Sequence, residues 1–207
     1  MSLERYCLIT VGATVGFKEL TGEALQPAFW QFLDSRGFTH LHIQCGPDVS
    51  WASTKLASLE NEIPSGLKVD VFDVRKNLMK EEMVLCKAVD GQRALGLIIS
   101  HAGTGTILDA WKLGIPLIVV PNTKLLDNHQ TEMAKHLAKE GYATMASASH
   151  EDLQGAIHKA DLLWEDNKSR WPPHEVNPQK TTKPGLRLWE LHPRDVEKEE
   201  NAQMAHD

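Results

Sequence analysis

The sequence has no long hydrophobic run, no excess of basic residues and few cysteines. Its longest apolar stretches, Leu95–Ile99 and Ile115–Val120, fall far short of the roughly 20 residues needed to cross a bilayer. The 22 Lys and Arg residues against 28 Asp and Glu residues give a net charge of -6, which excludes a diffuse basic surface for nucleic acid. Because Cys7, Cys45 and Cys86 lack metal-ligand spacing, we predict reduced, buried thiols and no metal site.

The composition is typical of a soluble chain with one core, since 42% of the 207 residues are hydrophobic and 24% are charged. The first residues lack the apolar stretch of a secretory signal, which predicts a cytoplasmic protein. Because the helical pattern stops near residue 165, we predict one domain over residues 1–164 and a Pro-rich, charged extension over residues 165–207. In this extension, Trp171 and the apolar run Leu186–Leu191 could dock on the core or on another chain.

Short runs of branched apolar residues alternate with helical patterns along the first 164 residues. Pro27 suits the first turn of one helix, and Gly114 and Gly141 end two others. Ser149, followed by Asp152, resembles a capping box for a last helix. The alternation predicts an α/β fold with a Rossmann-like open parallel sheet, whose ligands bind beyond the carboxyl ends of the strands. The five predicted strands are Tyr6–Val11, Leu41–Gln44, Leu67–Phe72, Gly96–Ser100 and Leu117–Val120.

A glycine-rich loop, Val11–Gly16, follows the first predicted strand. The glycines of this turn, Gly12 and Gly16, could let backbone N–H groups approach a phosphate or a sugar. The spacing lacks a full dinucleotide fingerprint, and Gln44–Gly46 stands where Rossmann dehydrogenases carry an acidic residue for the ribose. A nicotinamide enzyme is therefore disfavoured, and this loop alone could be no more than a tight turn.

The loop between the fourth strand and its helix has the composition of an anion site built from backbone amides. Asp109 lies a little over one helical turn beyond Thr104 and could accept hydrogen bonds from both hydroxyls of a ribose. The alternative is that the hydroxyl groups of Ser100 and Thr104 only cap the helix and that Asp109 is solvated. The loop consists of Ser100, His101, Ala102, Gly103, Thr104, Gly105 and Thr106.

A third polar group, Asp127, Asn128, His129 and Gln130, follows the fifth strand. Such side chains at the start of a helix can bind sugar hydroxyls without supplying a charge. Asp127 or Asn128 could instead serve only as the helix N-cap, which leaves His129 and Gln130 unexplained.

Taken in order, these loops resemble the donor-binding half of GT-B glycosyltransferases. The pattern from His101 to Asp109, followed by Gly114-Ile115-Pro116, Pro121 and His129-Gln130, is similar to the donor motif of UDP-sugar transferases, with Asp replacing the usual Glu. More closely, the three loops are similar to the small cytosolic subunits of an endoplasmic-reticulum UDP-N-acetylglucosamine transferase, of the glycosyltransferase family 28 C-terminal-domain type. In that family the amino-terminal GT-B half is a separate membrane-anchored polypeptide. The stretches that carry this similarity are Gly12–Thr14, Ile98–Asp109 and Asp127–Gln130, within a match from about Tyr6 to Trp164.

The resemblance implies a ligand for each loop. Ser100–Thr106 would hold the UDP diphosphate, Asp109 the ribose, and His129 with Gln130 the N-acetylglucosamine (GlcNAc). Asn128 would also bind substrate, and Gly12 and Thr14 would face the same cleft. The implied reaction is inverting transfer of GlcNAc from UDP-GlcNAc to dolichol diphosphate-linked GlcNAc, the second step of N-glycan precursor assembly, without a cofactor.

The same resemblance implies that a membrane-anchored partner supplies the acceptor site and recruits the chain to the cytosolic face of the endoplasmic reticulum. No general base can be assigned here, because every polar cluster faces the donor. A non-catalytic UDP-sugar-binding module that regulates a partner would keep the same loops, and the sequence leaves that alternative open.

Overall fold

The computed structural model describes residues 3–123 and 129–170, with the backbone alone for residues 168–170. Within these residues a sheet of six parallel strands has the order β3-β2-β1-β4-β5-β6. The predicted Rossmann-like parallel sheet is therefore confirmed, with all five predicted strands in place. The strands are β1 (Tyr6–Thr10), β2 (His40–Gln44), β3 (Lys68–Phe72), β4 (Leu97–Ser100), β5 (Leu117–Val119) and β6 (Thr144–Met145).

Helices flank the sheet on both faces, and three short 3₁₀ turns lie at Gly46–Asp48, Glu60–Glu62 and Met83–Cys86. No helix in the described part of the chain is long and apolar enough to cross a membrane. The helices are α1 (Lys18–Ala24), α2 (Pro27–Ser35), α3 (Val49–Ser58), α4 (Leu78–Glu81), α5 (Thr104–Leu113), α6 (His129–Lys139) and α7 (His150–Arg170).

Local sequence signals account for several helix ends. Pro27 occupies the first turn of α2, where its missing N–H is not needed. Helix α5 ends at Gly114, whose φ of 66° is in the left-handed region. The N–H of Asp152 donates to the Oγ of Ser149 (3.4 Å), so Ser149 caps α7 as predicted. The predicted capping box is incomplete, because the carboxylate of Asp152 accepts from Ser147 and not from the N–H of Ser149.

Four features differ from the sequence prediction, and one of them is the four-residue helix α4, which no helical pattern in the sequence indicates. Helix α3 is not predicted, because Ala52 is its one fully buried residue and its apolar periodicity is weak. Strand β6 has two residues, too few for any pattern. Helix α7 continues past residue 164 to Arg170, where the Nδ2 of Asn167 donates to the carbonyl of Gly141 (2.9 Å). Most of the predicted extension, with Trp171 and the Leu186–Leu191 run, lies outside the described residues.

Apolar side chains pack on both faces of the sheet. Because successive strand residues point to opposite faces, Ile9 packs with α1, α2 and α7, whereas Leu8 packs with α5 and α6. Each large side chain that is fully buried stabilises the fold by about 1.5–3 kcal/mol. Trp30 of α2 is among these, and its Nε1 donates to the carbonyl of Ala24 at the end of α1 (2.8 Å).

One carboxylate fixes α7 across its face of the sheet. The Nη2 of Arg5 donates to one oxygen of Asp161, and the Nη2 of Arg36 donates to the other, both at 3.1 Å. Arg5 precedes β1 and its guanidinium lies over the ring of Phe38, 4.1 Å from the centroid. These contacts lie at the amino ends of the strands, so the first turns of α7 are left beside their carboxyl ends.

The chain changes face between two neighbouring strands. Strands β1 and β4 pair from Cys7 with Leu97 to Thr10 with Ser100. Helix α1 follows β1 on one face of the sheet, and α5 follows β4 on the other. Loops that leave a sheet in opposite directions open a crevice, and ligands of open α/β sheets bind at such a switch point.

Candidate functional site

The imidazole of His101 links two of the predicted binding loops at this switch point. A Cβ placed on Gly12 would lie 2.9 Å from the Nε2 of His101, and a Cβ placed on Gly103 would lie 2.7 Å from the same atom. Gly12 also has a φ of 87°, a backbone conformation that side chains rarely adopt. Both glycines are therefore needed for the ring to lie between the loop after β1 and the loop after β4.

The hydrogen bonds of His101 define its tautomer. Its Nδ1 lies 3.3 Å from the carbonyl oxygen of Thr10, and a carbonyl can only accept, so Nδ1 carries the proton and donates. The Nε2 of the neutral ring then faces the two glycines with a lone pair. Burial lowers the pKa of His101, and the bond to Thr10 opposes that effect only in part. The ring is therefore neutral at pH 7 in the free protein.

The backbone after His101 is strained and leads into an open helix end. Ala102 is buried and has a φ of 66°, a strained conformation for a non-glycine residue of the kind that clusters at functional sites. The N-cap of α5 is Gly103, which has no side chain to satisfy the first N–H groups of the helix. The hydroxyl groups of Ser100 and Thr104 therefore do not cap this helix, and anion binding by its first amides stays a prediction.

The hydroxyl residues of this loop differ in exposure. Thr104 and Gly105 are exposed, and Thr106 is half-buried. Ser100 is fully buried, and its Oγ has no hydrogen-bond partner within residues 3–123 and 129–170. The hydroxyl of the neighbouring Thr10 on β1 is in the same situation. Contact of Ser100 with a diphosphate stays a prediction.

Asp109 lies on the exposed side of α5, beyond the open helix end. Its side chain is 33% exposed, and its Oδ1 accepts from the Nζ of Lys112 at 3.1 Å, one helical turn along. Surface pairs of this kind are worth less than about 1 kcal/mol. The carboxylate is therefore free to exchange this partner for the hydroxyls of a ligand.

Asn122 joins the first loop to the third, and the sequence analysis does not identify it. Its backbone N–H donates to the Oε1 of Gln130 (3.2 Å), and its Nδ2 donates to the carbonyl of Gly16 (3.4 Å). The predicted Gln130 is thereby held beside the glycine-rich loop, and His129 begins α6. Asn128 lies outside the described residues, and Thr14 is exposed in its loop.

A second unpredicted residue, Asp48, supports the same loop from the turn after β2. Its carboxylate packs directly against the Cα of Gly16, so that any Cβ there would collide with it. The Nζ of Lys18 lies 3.7 Å from the Oδ1 of Asp48. Both supporting residues act through contacts that form only in the folded chain, and a single sequence gives no signal for them.

The described residues offer neither a thiolate nor a metal cluster. The three cysteines are free and buried, as predicted. Burial raises the pKa of Cys7 and Cys45 to about 12 and also raises that of Cys86, which leaves weakly reactive neutral thiols. No group of three or more His, Cys, Asp or Glu side chains in the described ranges is arranged to hold a metal ion.

The parallel sheet has the fold of the carboxyl-terminal half of GT-B glycosyltransferases. The glycosyltransferase family 28 C-terminal domain matches residues 6–175, and the chain belongs to this family. The resemblance predicted from the motifs, to the carboxyl-terminal half of GT-B glycosyltransferases, is confirmed.

Particular relatives carry more specific names. The chain is 33% identical over 186 residues to the UDP-N-acetylglucosamine transferase subunit ALG13 of Cryptococcus neoformans var. neoformans serotype D, across 80% of this chain and 88% of that protein. It is similar to the NMR solution structure of ALG13, with a TM-score of 0.57 and 30% identity over 77% of this chain and 87% of that one. The crystal structure of MurG from Acinetobacter baumannii matches with a TM-score of 0.56 and 25% identity, over 78% of this chain and 45% of that one.

Proposed function

We propose that this chain is the donor-binding catalytic subunit of a heteromeric glycosyltransferase. It moves GlcNAc from UDP-GlcNAc to dolichol diphosphate-linked GlcNAc with inversion, the second step of N-glycan precursor assembly. The observation that carries the proposal is the open end of α5, uncapped at Gly103 and adjoining His101 at the switch point. The name of the Cryptococcus relative, a UDP-N-acetylglucosamine transferase subunit, supports the choice of sugar.

Each loop has a role in this proposal. The amides of Gly103–Thr106 bind the diphosphate, and the dipole of α5 stabilises the negative charge that grows on the departing UDP. Asp109 accepts hydrogen bonds from the ribose, and Asn128–Gln130 bind the GlcNAc hydroxyls. Gly12 and Thr14 border the same cleft. No cofactor takes part, since the helix end supplies the electrostatic stabilisation.

A partner completes the enzyme. The chain aligns with 45% of the MurG chain, so the proposal assigns the remaining half to a membrane-anchored subunit. That subunit supplies the general base, contributes to the acceptor site and brings this chain to the cytosolic face of the endoplasmic reticulum. The acceptor 4-hydroxyl then attacks the anomeric carbon as the bond to UDP breaks, and the hydroxyl proton passes to the partner's base.

Substitution of Asp109 tests the donor site directly. We expect Asp109→Ala to weaken UDP-GlcNAc binding by about 1–3 kcal/mol, because charged hydrogen bonds to the ribose are lost. Isothermal titration calorimetry measures this difference. Lys112→Gln is the matched control, since it removes the ion-pair partner of Asp109 and keeps the carboxylate. Unchanged affinity in Asp109→Ala would remove this residue from the site.

The pH dependence of donor binding tests the role of His101. Its Nδ1 proton is committed to Thr10, so Nε2 can donate to a phosphate oxygen only after the ring gains a second proton. The free ring has a pKa below 6.5, and a bound diphosphate raises it. Affinity for UDP-GlcNAc is therefore expected to rise as pH falls from about 8 to about 6, by up to about tenfold per unit.

UDP-GlcNAc suits this titration because its diphosphate is doubly esterified and does not ionise near neutrality, whereas free UDP does. His101→Gln keeps a side-chain N–H donor and is expected to abolish the slope. A wild-type affinity that stays constant over this range would exclude proton uptake by His101.

The same lowered pKa of His101 predicts that the free energy of unfolding decreases as pH falls below about 6.5, because the ring in the unfolded chain is protonated first.

A further inference from the structure

A second concave surface adjoins the candidate donor loops. A cavity of about 610 Å³ lies between the start of α1, the segments that follow β5 and β6, and the first turns of α7. Asn122 forms part of its wall. Because the same residue bonds Gln130 and Gly16, one side of Asn122 belongs to the donor loops and the other to the cavity.

The residues around the cavity favour a neutral, hydroxyl-rich ligand. Glu19, Glu151 and Asp152 contribute three carboxylates against the ammonium of Lys159, in the part of the wall that the structure describes. The excess of negative charge in the wall disfavours an anionic ligand, whereas carboxylates accept hydrogen bonds from hydroxyl groups. Met145 and Ala148 are half-buried in the wall, which also contains the buried Phe17, and supply apolar surface that suits the C–H face of a sugar ring. Saccharides combine these two kinds of surface.

A glycine inside α7 keeps the cavity open. Gly155 lines the cavity in the interior of a 21-residue helix, where glycine costs about 1 kcal/mol relative to alanine. No heavy atom lies within 4 Å of a Cβ built on it, and its φ is not in the left-handed region. Neither packing nor backbone conformation therefore requires a glycine here. Its absent side chain leaves room that a ligand can occupy.

We propose that this cavity binds the saccharide of the acceptor, the neutral GlcNAc that receives the transferred sugar. The inference rests on the proposed function for the identity of that saccharide. Donor sugar at Gln130 and acceptor sugar in the cavity would then meet across Asn122. The partner subunit would bind the lipid-linked part of the acceptor, and this chain would position its sugar ring.

Amide chemical shifts of the isotopically labelled full chain locate each ligand. N,N'-diacetylchitobiose is expected to shift the amides of Ala146, Gly155 and Ala156, and inorganic phosphate is expected to leave them in place. UDP is expected to shift the loop around Gly103 instead. The two sites are thus read separately, so that a failure of donor binding leaves the cavity result interpretable.

Gly155→Leu is the variant that fills the cavity. It should weaken chitobiose binding at least about tenfold, since the added side chain occupies the open space, and should leave UDP affinity within about twofold. His158→Leu is the control, because it adds the same side chain to an exposed position of α7 outside the cavity wall. This control should bind chitobiose as the wild type does.

Three results would overturn the proposal. One is the absence of shifts at these cavity amides up to the solubility limit of chitobiose. Another is equal chitobiose affinity in Gly155→Leu and the wild type. The third is a shift of the cavity amides by UDP-GlcNAc but not by UDP, which would make the donor sugar the occupant. Chitobiose binding in the cavity without any UDP binding supports the cavity and contradicts the proposed donor function alone.

Discussion

Gly103→Ala is expected to lower the affinity for UDP-GlcNAc by about 2 kcal/mol, or roughly 30-fold, without unfolding the chain. The backbone of Gly103, at φ -72° and ψ 126°, suits alanine, so the obstacle to a methyl group is the imidazole of His101 at 2.7 Å. The ring must move away from the mouth of α5, and its contact with the diphosphate is lost. Calorimetry gives the affinity, and a thermal melt shows that the fold is retained.

Two further glycine variants sharpen this experiment. Gly22→Ala is the control, since its Cβ would make only an ordinary 3.6 Å contact with the ring of Trp51, away from the donor loops. Gly12→Ala adds backbone strain at φ 87° to the same clash with His101, so it should lose stability as well as affinity. A folded Gly103→Ala protein with wild-type affinity would place His101 outside the donor site.

Transfer activity is expected to appear only when the membrane-anchored partner is present. The family match is to a C-terminal domain, and the proposal assigns the base for the acceptor hydroxyl to the partner. Loss of a general base alone costs about 10²–10⁴-fold in rate, and the loss of acceptor positioning adds to it. The expected result is turnover by the reconstituted pair in detergent or vesicles, with neither component active alone, measured with UDP-GlcNAc and a dolichol diphosphate-linked GlcNAc acceptor.

Gln130→Ala in the reconstituted pair separates catalysis from regulation. A donor-binding subunit that loses a sugar contact should turn over more slowly, whereas a regulatory module that only docks on an active partner should leave the rate unchanged. Robust transfer to the lipid-linked acceptor by the isolated chain would contradict the division of the enzyme into two polypeptides.

The core of the fold is predictable from the sequence because its signals are local. Runs of branched apolar residues predict five of the strands, and Pro27 and Gly114 predict helix ends because of their own backbone geometry. Strand β6 and helix α3 are not predicted, because they lack such local signals. Two residues carry no periodicity, and a helix that buries little presents no apolar stripe.

The sequence predicts which loops form the candidate site, but not how their residues are arranged in space. Glycines and hydroxyl residues after β1 and β4 indicate where a phosphate could bind, since carboxyl ends of parallel strands meet at one edge. That His101 lies between Gly12 and Gly103, and that Asn122 and Asp48 fix the turn at Gly16, depends on contacts between distant segments. Such contacts form because the sheet packs these segments together, and the sequence next to each residue gives no sign of them.

The carboxylate of Asp161 attaches α7 to the rest of the fold through two separate ion pairs. Two guanidinium groups, from Arg5 and Arg36, approach different oxygens of the same side chain. Loss of either arginine leaves the helix tethered through the other, whereas loss of Asp161 releases both at once. Substitution of Arg36 should therefore be tolerated more readily than substitution of Asp161, and the first turns of α7 would keep their place beside the cavity. Arg5 is less replaceable, because it also donates to the carbonyl oxygens of Leu95 and Arg36.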